Sequence, residues 1–106
     1  MQIYADKRAS PRIPAKVPVH VSGRDVRHKP VDENSETLLI NENGALIALG
    51  AEFQLHDRVR VTNRITNAGV DGRVAWRSSA QINERWSYGV ALIDPPEDFW
   101  TAQKAT

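Results

Sequence analysis

The chain of 106 residues contains no cysteine, so disulfides, thiolate metal sites and a cysteine nucleophile are excluded together. It has no apolar run near the roughly 20 residues that span a bilayer, and its first twelve residues are polar and basic without the apolar centre of a signal peptide. The expectation from these absences is a cytoplasmic protein with no membrane association. Aromatic residues are few, at 7%, and the net charge is only +1. A nucleic-acid polymer is usually met by a dominant basic face, often with stacked aromatics, so that class of partner is not expected. His20, His28 and His56 lie in unrelated segments with no metal-ligand spacing. No nucleophile elbow, phosphate-binding loop or dinucleotide fingerprint is present, and no pair of acids stands in a context suited to acid–base work. The chain reads as a non-enzyme with no cofactor and no metal.

What is present suits one folded domain. Hydrophobic residues make up 41% and charged residues 25%, close to globular averages, and this length fills one core. The charge is unevenly placed. Residues 1–29 carry seven Lys/Arg against two Asp/Glu, and the remainder carries seven against eleven. A locally basic amino-terminal third suits a small anionic ligand better than a polymer.

Residues 1–14 read as an extended, flexible lead-in, because Pro11 and Pro14 remove backbone donors and restrict the residues before them. Residues 15–106 form the domain. Val17, Val19 and Val21 alternate with polar residues, which predicts a strand over 15–22, with Pro18 marking it as an edge or bulged strand. Residues 23–35, polar and containing Pro30, read as a loop. Strands over 37–40 and 45–49 flank Asn41, Glu42, Asn43 and Gly44, residue types that supply positive φ in tight turns. Alternation over 58–62 and an apolar return over 70–77 predict a hairpin, and a last strand covers 86–93. Trp76 falls in a strand pattern and is expected in the core. Asp94, Pro95, Pro96, Glu97 and Asp98 resemble a helix start, giving a short C-terminal helical turn over 99–104, with Phe99 and Trp100 plugging one end of the fold. Six short strands with little helix point to an all-β, six-stranded antiparallel barrel.

Three ordered features resemble the PilZ domain family. Arg8-Ala-Ser-Pro-Arg12 matches its RxxxR motif ahead of a Val-rich strand. Asn41-Glu-Asn-Gly44, followed by Ala45-Leu-Ile, stands where the family has D/N-x-S-x-x-G. The third feature is Gly72-Arg-Val-Ala-Trp-Arg77 with Tyr88-Gly-Val-Ala-Leu92. With Gly44 on the motif glycine, Leu39 occupies the D/N position and Asn41 the serine position, the pattern of a divergent subgroup. The resemblance implies a split-barrel fold and a signalling module that binds the bacterial second messenger cyclic di-GMP. Its ligand-binding residues are then Arg8, Arg12, Asn41, Asn43 and Gly44. Arginine forks suit phosphates and guanine edges, and Arg8 and Arg12 stand roughly 12 Å apart in an extended segment, enough to clasp a ligand from two sides. Leu39 offers no polar contact to a guanine. That motivates an alternative, a degenerate PilZ domain that binds a protein partner without nucleotide; on either reading a monomer or homodimer is expected. A third reading, a small barrel for single-stranded nucleic acid, finds too few aromatics and too little charge.

Overall fold

The computed structural model describes residues 12–100. Seven strands follow in order: β1 (Ile13–Pro14), β2 (Pro18–Arg24), β3 (Pro30–Asn41), β4 (Gly44–Leu49), β5 (Arg58–Asn63), β6 (Gly69–Arg77) and β7 (Trp86–Leu92). All pairings are antiparallel. Neighbours run β3-β2-β5-β6-β7-β4, and β4 pairs back onto β3, which closes a six-stranded barrel with β1 added beside β3. No helix occurs among the described residues, so none there is long and apolar enough to cross a membrane.

Alternation fills the interior. Val19 and Val21 of β2, Val59 and Val61 of β5, Val70 and Val74 of β6, and Tyr88, Val90 and Leu92 of β7 point inward and are buried. Phe53 meets Tyr88 edge-to-face at 5.7 Å between centroids. The Tyr88 hydroxyl accepts from the Phe53 N–H and donates to the Ala51 carbonyl, both at 2.8 Å, so the buried phenol is satisfied. Phe99 and Trp100 are buried at one end as the sequence implies, 4.7 Å apart and edge-to-face. Buried Asn63 donates from Nδ2 to the Phe99 carbonyl and fixes this plug to β5.

Two expectations are corrected and a third is not shown. Residues 30–35, read as loop, belong to β3. Their inward positions carry polar side chains that serve backbone groups: Glu33 accepts from the N–H groups of Gly50 and Ala51, and Ser35 donates to the Ala48 carbonyl. An apolar pattern is therefore missing although the strand is fully used. Next, β2 is not an edge. It pairs with β3 and β5, and Pro18 is tolerated because it is the first residue of the strand. Finally, the helical turn is not formed among the described residues. Residues 97–100 make a turn in which the Phe99 N–H donates to the Pro96 carbonyl, and Asn63 takes the carbonyl of Phe99. Residues 101–104 of that expectation lie outside the described residues.

His20 adds a pH dependence to the outer face. Its Nδ1 lies 2.9 Å from Asn34 Oδ1 and its Nε2 3.1 Å from Asp32 Oδ1, an arrangement that suits an imidazolium donating twice. The hydrogen bond to Asn34, then that to Asp32, raises its pKa above 6.5. The folded state holds the proton more tightly, so this contribution to stability is complete below the unfolded value and fades as pH rises through the folded one. Melting temperatures followed between about pH 5 and 8 are expected to carry a falling component that His20→Gln removes.

Candidate functional site

A groove of about 580 Å³ lies on the outer wall where the ends of β3 and β6 meet β4 and β7. Register explains its shape. One outward row runs Pro14, Leu39, Leu46, Gly89 and Trp76 across five strands. The next contains Asn41, Gly44 and Ala91. Gly44, Gly89 and Ala91 have little or no side chain, so the wall dips between Leu46 and Trp76.

Two β-bulges decide which residues face this groove. In β6 the ladder shifts between Val74 and Trp76, so Ala75 is the extra residue. Without it, Trp76 shares the inward parity of Val70 and Val74. With it, Trp76 turns outward and is 52% exposed, against the expectation of a core position. In β3 the shift lies between Thr37 and Leu39, with Leu38 extra. Thr37 stays buried, whereas Leu39 and Asn41 face out and line the groove. Trp76 lies against Gly89, where an added Cβ would sit 3.3 Å from the Cβ of Trp76. One face of an indole beside a depression is a platform for a planar ring.

Arg12 reaches the groove because β1 is held in place. Ile13 pairs with Ile40 and Pro14 with Leu39, which brings residue 12 alongside Asn41. Thr37 secures the following segment: its Oγ1 accepts from the Val17 N–H at 2.9 Å and donates to the Ala15 carbonyl at 2.6 Å. Arg12 is exposed, lines the groove, and forms no ion pair with a described carboxylate. Its charge therefore remains available to an anion.

The turn between β3 and β4 differs from its expected chemistry. None of Asn41, Glu42, Asn43 or Gly44 has positive φ. The turn is instead braced by Asn41 Oδ1, which accepts from the Asn43 N–H at 2.9 Å, and by the Asn43 carbonyl, which accepts from the Leu92 N–H. The Asn41 acceptor is thereby engaged, while its two N–H donors remain for another partner. Gly44 is needed for close approach: a Cβ there would run into the carbonyl oxygen of Val90.

Arg12, Asn41, Asn43 and Gly44 are thus brought together around one groove, and Arg8 lies outside the described residues. Leu46, Trp76, Ser87 and Gly89 also line it and were not anticipated as site residues. No local signal in the sequence marks Trp76, because a bulge changes parity without changing composition. The whole offers one guanidinium, two amides and an exposed indole around a mainly apolar depression.

No curated protein matches the chain. The family model of the PilZ domain matches residues 6–102. PilZ domains are in general cyclic di-GMP-binding signalling modules and not enzymes. The ordered motifs, the closed barrel and a match over nearly the whole chain lead to one assignment: this chain belongs to the PilZ domain family.

Proposed function

We propose that the groove binds cyclic di-GMP, with Arg12 on a phosphate or guanine edge and Trp76 stacked on a base. The observation that carries this reading is the convergence of Arg12, Asn41 and Trp76, from three separate strand ends, on one outer depression. A cyclic dinucleotide has two purine faces and two phosphates. Arg12 supplies charge and a planar fork, Trp76 supplies a stacking face, and the Asn41 amide supplies donors. Arg8 provides a second guanidinium from the same lead-in, so that ligand binding folds this segment over the groove and changes what the barrel presents to a partner. The module acts in the cytoplasm, in keeping with a chain that lacks cysteine.

Charge-assisted hydrogen bonds contribute about 1.5 to 3 kcal/mol each, so several of them support micromolar affinity, about 8 kcal/mol. Titration calorimetry with cyclic di-GMP is expected to show saturable heat at micromolar ligand. Arg12→Ala is expected to weaken binding about tenfold. No heat at high micromolar ligand removes the reading.

Leu39 favours a second reading. It lines the groove and brings an apolar side chain where a polar one could meet a base edge. On this reading the domain binds a protein without nucleotide. A stable partner whose binding is indifferent to cyclic di-GMP, from a protein that gives no heat with the nucleotide, selects it.

A further inference from the structure

We infer that the outer wall of β2, β5 and β6, which runs on from one edge of the groove, is a docking face for a carboxylate-rich segment of a protein partner, gripped by a row of three arginines. In the ring of strands, β5 stands across the barrel from β4. The outward residues of β5 include Arg58 and Arg60, between the buried Val59 and Val61. Arg58 lies directly opposite Arg73 of β6. Gly23 of β2 lies opposite Val59, and one further step of that register sets Arg24 beside Arg58. Three guanidinium-bearing residues therefore stand side by side on β2, β5 and β6, about 4.8 Å apart from strand to strand.

This arrangement works against the fold. Like charges directly opposite one another destabilise a strand pair. In the adjacent row the protein resolves the problem, since Arg60 pairs with Asp71 at 2.9 Å. In the arginine row it does not. Arg24 donates to the His28 carbonyl at 2.9 Å and Arg73 lies 3.3 Å from His56 Nδ1, and neither contact brings a negative charge. None of the three forms an ion pair with a described carboxylate.

The surroundings select the partner's chemistry. A shallow depression of about 320 Å³ beside the row is lined by Ser22, Arg58, Arg60 and Asp71. No exposed aromatic lines this depression, and Trp76, the next outward residue of β6 after Arg73, belongs to the groove. The depression is likewise lined by no large exposed apolar residue that could enter a membrane. Asp71 and Asp32 interrupt the positive charge to either side, which disfavours a long uniform polyanion. Carboxylates match guanidinium forks in paired hydrogen bonds, and acids at i and i+4 of a helix are about 5 to 6 Å apart, close to the spacing of the row. The row meets the groove only through Arg73, which pairs with groove-lining Ala91, while Arg58 lies one strand further away.

The test is amide chemical-shift titration of the full chain with a hexaglutamate peptide. Saturable shifts are expected on Arg24, Arg58, Arg73 and their neighbours, and Arg58→Gln with Arg73→Gln is expected to weaken binding at least about tenfold. Arg58→Gln alone is expected to raise the melting temperature by about 2 °C, because it relieves the repulsion. Shifts scattered over all basic residues, or unchanged affinity in the double variant, overturn the inference. So does a fall in melting temperature, which makes the row structural, or a single-stranded oligonucleotide that takes the same face more tightly than the peptide.

Discussion

Gly44→Ala is expected to destabilise the domain by about 3 kcal/mol, at the upper end of the usual range for overpacking. The added Cβ meets the Val90 carbonyl oxygen, which belongs to the backbone and cannot rotate aside as a side chain can. Gly44 lies opposite Ala91, so β4 and β7 must part at this pair. Relief by bending the other way is blocked, because Asn41 pairs with Gly44 and the Asn43 carbonyl holds the Leu92 N–H. For a domain of this size the melting temperature should fall by about 12 to 24 °C. Thermal denaturation followed by circular dichroism measures it. A change of less than about 3 °C would mean that the two strands separate at little cost and that close approach is not the reason for glycine here.

Arg12→Ala combined with Trp76→Ala is expected to lower affinity for cyclic di-GMP at least a hundredfold, on the order of 3 kcal/mol or more. Base–aromatic stacking contributes about 1 to 3 kcal/mol per base, and a charge-assisted hydrogen bond about 1.5 to 3 kcal/mol. The two side chains come from strands on opposite flanks of the groove and act on different parts of the ligand, so their losses should nearly add. Both are exposed, and neither is part of the buried core. The melting temperature without ligand should therefore change little, which separates lost binding from lost folding. Calorimetry on the double variant, with each single variant alongside, reads the effect. Full affinity in the double variant would place the ligand elsewhere.

The valines made most of the barrel legible. Val17, Val19, Val21, Val59, Val61, Val70 and Val74 alternate with polar residues as an inward face must, and all are buried. The first half of β3 escaped because Glu33 and Ser35 face inward to hydrogen-bond the backbone, a role that leaves no apolar periodicity. Trp76 escaped for a different reason. A bulge changes parity without changing composition, so counting by twos from Val74 sends Trp76 into the core when it belongs to the groove. Gly44 was singled out with the wrong reason attached, since the turn needs no positive φ and the glycine answers to the neighbouring strand β7, distant in sequence. Such long-range contact leaves no local trace. Of the five residues expected to bind ligand, Arg12, Asn41, Asn43 and Gly44 surround one groove, while Arg8 lies outside the described residues.

The bulges also connect fold to function. Each one reverses the facing of a strand end, at Leu38 and at Ala75, and the reversed ends form the two sides of the groove. Removing Ala75 would restore regular alternation and turn Trp76 toward the interior, so the irregularity is what makes the platform.

Amide chemical-shift mapping with cyclic di-GMP on the intact chain tests the central claim most directly. Saturable shifts should gather on residues 39–46, 75–76 and 87–91, around Arg12 and the Trp76 indole N–H, and leave the outer face of β2 and β5 unmoved. Shifts absent at high micromolar nucleotide, or concentrated on β2 and β5, would contradict the account.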